Sequence, residues 1–395
     1  MMQPLLLTAR AQVSALGQGA AATLAALRAR RGGLRPCDLP EVAVGGHIGR
    51  VDAADTHRLP PDLARFDCRN NRLADLALRT DGFAAAVAGA VARHGADRIA
   101  VILGTSTSGI AAGEEAYAGR DPATGALPAA FDYEHTQDMF SVARYVRAAL
   151  GLRGPAAAVS TACASSGLAF ADAQQMIEAG VCDAAVVGGV DSLCRMTLHG
   201  FAALELISPF PCRPCDADRR GISIGEAAGL ALLEPANGRS GIALLGYGVT
   251  SDGYHMSSPH PDGAGAIGAM RAALARAGLS PRDIDYVNLH GTGTRANDAM
   301  EDIAVTAVFG TETPCSSTKG WTGHTLGAAA IIAALNAALC IEHGLMPGCL
   351  DLATLDPAFT ARVLLENRET PVARVVSNSF GFGGVNCSLV LGATG

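Results

Sequence analysis

Val159-Ser160-Thr161-Ala162-Cys163-Ala164-Ser165-Ser166-Gly167 joins a short apolar stretch, Ala156 to Val159, to a run of helix formers from Ala164 to Ile177 that stops at Gly180. The pattern sets a cysteine where a strand runs into a helix. At such a point unpaired backbone N–H groups and the positive end of the helix dipole favour thiolate, lowering the thiol pKa from about 8.5. Cys163 is therefore read as a candidate nucleophile, against the ordinary alternative of a small buried hydrophobe. What separates the two readings is whether the chain also supplies imidazoles in cleft-like settings.

Around this stretch the 395 residues are 49% hydrophobic and 17% charged, with 47 glycines, which describes a compact, turn-rich protein and not a disordered one. The length suggests two or three units of about 150 residues. A net charge of -7, with no Lys/Arg run longer than Arg28 to Arg31, excludes a general nucleic-acid binder and leaves local basic patches for an acidic partner. Eleven cysteines at irregular spacing, after an N-terminus (Met1 to Val13) that reads as a first strand and not a leader, point to reduced thiols in a cytoplasmic protein. Cys212-Arg213-Pro214-Cys215 lacks a second pair or a neighbouring histidine, so no metal is expected there. The longest uncharged apolar run, Thr325 to Ile341, has 17 residues, short of the about 20 that span a bilayer. Its alanines, Gly327 and Asn336 favour a helix buried in protein, with no membrane span.

Along the chain, Leu5 to Leu7 opens a strand, Ala20 to Arg30 is an amphipathic helix, residues 34 to 70 are irregular, and Arg72 to His94 is one helix. Ile99 to Leu103 is a strand running into the turn-rich Gly104 to Gly109, and Gln137 to Leu150 is helical. Ala184 to Val187 is a buried strand, and Gly229 to Glu234 closes the half. This is an α/β rhythm. From Gly241 to Gly246 the same order starts again, and a small-residue strand again feeds a buried helix, Cys163 to Gly180 in one half and His324 to Gly344 in the other. The chain is thus expected to hold two duplicated halves sharing one core: 1–240, carrying the cysteine, and 241–395, carrying the histidines. His290, in Asn288-Leu289-His290-Gly291-Thr292-Gly293-Thr294, ends an apolar strand, and His324 ends Ser317-Thr318-Lys319-Gly320-Trp321-Thr322-Gly323-His324. Both are positions suited to a cleft.

Cys163 in Thr-Ala-Cys-Ala-Ser-Ser, His290 in His-Gly-Thr-Gly-Thr, Lys319 five residues before His324, and the stretch Asn378-Ser-Phe-Gly-Phe-Gly-Gly-Val-Asn386 together resemble the elongating β-ketoacyl-acyl-carrier-protein synthases. The resemblance extends to Arg213-Pro214 with Asp216 and to Ser251 through Met256, and weakens over roughly the first 70 residues. It implies the thiolase fold, two duplicated α/β halves in a five-layered α-β-α-β-α arrangement. It also implies decarboxylative Claisen condensation, in which an acyl group held on Cys163 is attacked by the enolate of malonyl-acyl carrier protein. Acyl carrier protein is then the partner and supplies the phosphopantetheine arm, the enzyme has no cofactor of its own, and the dimer forms with itself or with a chain-length factor.

By the same similarity His290 and His324 stabilise the enolate, and the backbone N–H groups of Cys163 and Phe382 form a second oxyanion hole. Phe380 and Phe382 gate the cysteine. Lys319 polarises the site and pairs with an acid, for which Glu301 is the candidate. Thr292 and Thr294 hold the phosphopantetheine arm, and Thr107 with Phe201 lines the acyl pocket. Thr107 is smaller than the isoleucine often found there, which implies room for an extended chain. One departure stands out: the glutamate that many members carry nine residues beyond the second histidine is Ala333 here. Three other readings remain: a non-catalytic chain-length factor, which would lack Cys163; a coenzyme A-dependent thiolase, for which Cys387 stands in the wrong context; and a cysteine hydrolase, which leaves Lys319 and one histidine unused. The pathway, whether fatty acid, polyketide or aryl polyene, stays open.

Overall fold

The computed structural model describes residues 2–40, 42 and 44–394; Met1, Glu41, Ala43 and Gly395, which the expected first strand, irregular region and two halves include, lie outside the described residues. Among the described residues, five longer strands build the first half of the large sheet: β1 (Leu5–Ser14), β2 (Ile99–Gly104), β3 (Ala156–Val159), β4 (Ala184–Asp191) and β5 (Ala227–Pro235). They lie in the order β1-β5-β4-β2-β3. The first three neighbours run antiparallel and the last three parallel. The second half has β6 (Gly241–Ser251), β7 (Tyr286–Asn288), β8 (Pro314–Ser316), β9 (Arg374–Phe380) and β10 (Val385–Thr394). Their order, β6-β10-β9-β7-β8, and the sense of every pairing repeat the first half position by position. Among the described residues the two half-sheets join where Leu5 and Leu6 face Leu244 and Ala243.

Seven helices cover these sheets: α1 (Arg69–Leu78), α2 (Phe83–His94), α3 (Ser141–Ala149), α4 (Ser165–Glu178), α5 (Ala264–Ala277), α6 (Arg295–Phe309) and α7 (Ala329–His343). Strand alternation assigns the layers. On β2, Ile99, Val101 and Leu103 pack with α1, α2 and α3 on an outer face, whereas Ala100 and Ile102 join Phe170 of α4 and Ile331 of α7. Val287 of β7 and Val376 of β9 pack outward against α5 and α6. The central α4 and α7 therefore touch both sheets, and the layers run α-β-α-β-α, the thiolase arrangement that the sequence resemblance implied. Because α7 is covered all round, its apolar surface needs no lipid: Leu326–His343 is long and apolar enough to cross a membrane, yet 83% of it is buried inside the protein.

Several sequence expectations change. The single helix over Arg72 to His94 is two, α1 and α2, because Asp81 (φ 52°) and Gly82 (φ 71°) both take left-handed backbone, which no helix continues through. The irregular region contains strands Leu34–Pro36 and His47–Gly49, which pair with each other, the second also pairing with Ile224–Gly225, and short helices Ala53–Thr56 and Pro61–Phe66. The helix expected from Gln137 starts at Ser141. Gly104, at the tip of β2, is required by close approach: a Cβ there would meet the backbone nitrogen of Ser166 at 2.3 Å. The nucleophile helix thus rests directly on the strand end.

Phe170 is fully buried in the central layer. Phe170→Ala is expected to cost about 3–5 kcal/mol in chemical denaturation, the range for a large side chain lost from a packed core. A loss below about 1 kcal/mol would mean that the central layer closes around the gap.

Candidate active site

Between β3 and α4 the chain turns sharply at Ala162, whose φ of 49° is unusual for a residue with a Cβ. Ser165 fixes the turn by accepting the Thr161 N–H at 2.9 Å and donating to the Ala162 carbonyl. The second half repeats the elbow. Leu326 (φ 51°) lies three residues before α7, as Ala162 lies three before α4, so Cys163 and Gly327 are equivalent positions. His324 stands just before the second elbow and is pinned on both sides. Its N–H donates to Ser223 O at 2.7 Å, and its carbonyl accepts the Gly225 N–H at 2.9 Å. His290 follows β7, and α6 carries its loop: Glu301 accepts the N–H groups of His290 and Gly291, each at 2.7 Å, and Asp298 accepts those of Thr292 and Gly293.

These elbows bring three buried side chains together. One atom from each of Cys163, His290 and His324 lies within 4.8 Å of the other two. The imidazoles meet edge to face, with centroids 5.4 Å apart. Lys319 Nζ donates to the His290 carbonyl and lies 3.4 Å from His290 Nδ1, while His324 Nδ1 accepts the Leu326 N–H at 3.1 Å. Each Nδ1 thus faces a donor, which leaves Nε2 of both rings to carry the proton. Burial, and then the Lys319 charge, pull both imidazoles well below their usual pKa, so they are neutral donors. Two N–H groups beside an ammonium suit an oxygen on which negative charge develops. They do not suit zinc, which needs lone pairs from both rings.

Residues 51–238 match the β-ketoacyl synthase N-terminal domain and residues 242–353 its C-terminal domain. The chain belongs to the β-ketoacyl synthase family. A mitochondrial 3-oxoacyl-[acyl-carrier-protein] synthase of Arabidopsis thaliana is 40% identical over 261 residues, which are 61% of this chain and 57% of that protein. Nodulation protein E of Rhizobium sp. (strain N33) is 39% identical over 63% of this chain and 64% of its own length. The chain thus spans under two thirds of the length of these relatives. Among solved structures, a ketosynthase in complex with its chain length factor from Xenorhabdus doucetiae superimposes with a TM-score of 0.90 at 40% identity, covering 99% of this chain and 98% of that one.

In this β-ketoacyl synthase chain two expectations about charge are corrected. The thiol of Cys163 is not depressed: burial pushes it up to about 11, and the opposing pull of Lys319 and the Phe382 N–H is too small to win. Cys163 lies two residues before α4 begins and is 6% exposed, so desolvation of a thiolate outweighs the helix terminus. Nor do Lys319 and Glu301 form an ion pair among the described residues. Both Glu301 oxygens are taken by backbone N–H groups, and Asn378 Nδ2 adds a third donor at 3.2 Å. Burial raises Glu301 to about 7, and it acts on Lys319 only through space.

A cavity of about 530 Å³ opens onto the three reacting side chains and is also lined by Phe201, Phe380 and Phe382. Phe382 lies 5.8 Å from Phe201, and Phe380 lies 5.7 Å from His290. Thr292 and Thr294 line the same cavity, with hydroxyl oxygens 2.9 Å apart. Thr107 does not line it. Fully buried, its hydroxyl donates to Asp191 at 2.9 Å and accepts the Ser192 N–H at 3.1 Å, which braces the turn after β2. Sequence reasoning missed the basic lining, in which Arg220 and Arg295 are exposed and Arg219 is buried against Asp356. The adjacent Arg219-Arg220 pair was the signal for it.

Because the thiol titrates high, alkylation of Cys163 by iodoacetamide is expected to keep rising with pH to about 10. Lys319→Met removes the one nearby cation that favours thiolate, so alkylation at about pH 9 should slow. A rate that levels off near pH 7, or is unaffected by the Lys319 change, would show that burial does not control this thiol.

Proposed function

We propose that the protein is a β-ketoacyl-acyl-carrier-protein synthase that extends fatty acid, polyketide or aryl polyene chains. The observation that carries this is one buried thiol facing two neutral Nε2–H imidazoles with an ammonium group beside them. An acyl thioester transfers to Cys163 Sγ, and the thiol proton leaves with the carrier thiol. Malonyl-carrier protein then loses CO2, and the resulting enolate oxygen takes hydrogen bonds from His290 and His324. Its carbon attacks the acyl thioester, so a C–C bond forms, the C–S bond breaks and Cys163 regains a proton. The N–H groups of Phe382 and Cys163, both directed at the sulfur, hold the tetrahedral oxygen of the acyl-cysteine steps.

The protein in this reading needs no cofactor of its own, because the acyl carrier protein brings the phosphopantetheine arm. Thr292 and Thr294 lie along the cavity to bind that arm, and exposed Arg220 and Arg295 suit its phosphate. Phe380, at the end of β9, and Phe382, on the loop where Gly383 and Gly384 both take positive φ, gate the thiol. Residues 1–240 act as the half that carries the nucleophile, and 241–395 as the half that carries the histidines and Lys319. The partner in the dimer is a second copy or a chain-length factor. Two supports for the latter are the Xenorhabdus complex and the ishigamide ketosynthase/chain length factor, the second at TM-score 0.89 and 28% identity. A cytoplasmic location accords with eleven cysteines that are all free.

Incubation with acyl- and malonyl-carrier protein, followed by intact-mass measurement, tests the reading. Wild type should carry an acyl adduct that Cys163→Ala lacks. His290→Ala and His324→Ala should each slow condensation by about a hundredfold, the cost of losing one charge-stabilising donor, while Cys163 still acylates. An adduct on Cys387, or loss of acylation with decarboxylation intact in the histidine variants, would overturn the assignment.

A further inference from the structure

Where β4 ends, one buried carboxylate ties the two halves together. Asp191 is fully buried and accepts from Thr105 Oγ1 at 2.7 Å, Ser106 N at 2.8 Å, Ser106 Oγ at 2.5 Å, and Thr107 N and Oγ1 at 2.9 Å. All of these lie in the loop after β2, in the first half. The sixth donor is Gly327 N, in the elbow that follows His324. None of the six is cationic, so the carboxylate is held by hydrogen bonds alone, and each oxygen accepts at least one backbone N–H. The next residue back from Gly327 is Leu326, whose left-handed backbone aims its own N–H at His324 Nδ1.

We propose that Asp191 is the positioning residue for His324: by holding Gly327 it fixes the Leu326 elbow, and the elbow fixes the imidazole as the tautomer whose Nε2–H points into the cavity. None of its hydrogen bonds goes to Cys163, His290 or His324. The tautomer link stands on hydrogen-bond geometry, and its effect on rate rests on the condensing function proposed above. Asparagine cannot take its place. An NH2 group at Oδ1 would face the N–H groups of Ser106 and Thr107, and at Oδ2 it would face that of Gly327.

The experiment is ¹⁵N NMR of histidine-labelled full-length protein, run beside separate assays of malonyl-carrier-protein decarboxylation and of Cys163 acylation. Wild-type His324 should give the Nε2–H signature, and Asp191→Asn a mixture of tautomers. Decarboxylation by the variant should fall roughly a hundredfold, the scale for a catalytic group misplaced by about 1 Å, with acylation retained. Gly327→Ala attacks the same contact from the other side, since its Cβ would meet Asp191 Oδ2 at 2.8 Å, and should reproduce both effects; it also carries the comparison if Asp191→Asn does not fold. A wild-type tautomer in both variants overturns the inference. So does equal loss of both half-reactions, which marks Asp191 as a bolt for the fold. If wild type fails to decarboxylate the malonyl carrier, the proposed function falls, while the NMR result still decides the link from Asp191 to His324.

Discussion

Ser166, in the first turn of α4, accepts the backbone N–H of Ile331, in the first turn of α7, at 3.1 Å. The first N–H groups of any helix lack partners within it, so each central helix end needs something beyond its own backbone. Here one helix supplies the cap of the other. Close packing follows from it: a Cβ on Gly167 would press on Cys387 Sγ at 2.9 Å and on the Ala330 Cβ at 3.3 Å. With the two starts locked together, the two elbows before them must be neighbours. Cys163 and His324 therefore meet because the fold is duplicated about the central layer, and His290 joins them from the tip of a strand in the same layer system.

Meeting in a dry place decides their protonation. Burial drives the thiol up, both imidazoles and Lys319 down, and Glu301 up to about 7. In every case burial pushes toward the uncharged form, and the two imidazoles, held well below their usual range, are neutral. Hydrogen bonds inside such a pocket are stronger than in water, because few dipoles remain to compete with them. Neutral Nε2–H donors that need not reorganise are then most effective when charge appears on the substrate.

The sequence made the reacting set readable because each member sits at a local junction. Cys163 lies between a short strand and a helix, His290 at a strand end, and His324 with Lys319 before a long apolar run. The duplication was legible through the recurrence of those junctions in both halves, and the layering through the family resemblance. What escaped depends on groups distant in sequence. The direction of the thiol shift comes from burial under two sheets, which outweighs a local helix terminus. Glu301 failed as a partner for Lys319 because neighbouring backbone N–H groups had already filled its oxygens. The bond from the Thr107 hydroxyl to Asp191, 84 residues away in sequence, left no local mark. Asp191 itself gave no signal, since its bond to Gly327 spans 136 residues. The break between α1 and α2 lies in helix-forming sequence, where only the Asp81-Gly82 pair hinted at left-handed backbone.

Ala333 fits this division of labour. From Ala329 to Ile341 the only polar side chain of α7 is Asn336, whose Nδ2 donates to Thr318 Oγ1 at 3.4 Å. A carboxylate at position 333, 6% exposed between two sheets, would carry a desolvation cost of several kcal/mol unless a partner compensated it. Lys319 donates to the His290 carbonyl. With alanine there, α7 contributes packing, the Asn336 bond to Thr318 and the Ile331 N–H bond to Ser166, while the loop from His290 to Gly293 is held by Glu301 and Asp298 of α6. Lys319 is then bonded to the same loop that α6 supports. His290, its backbone and Lys319 are thus joined by hydrogen bonds to one loop that α6 braces, while Asn336 of the central helix holds the neighbouring Thr318.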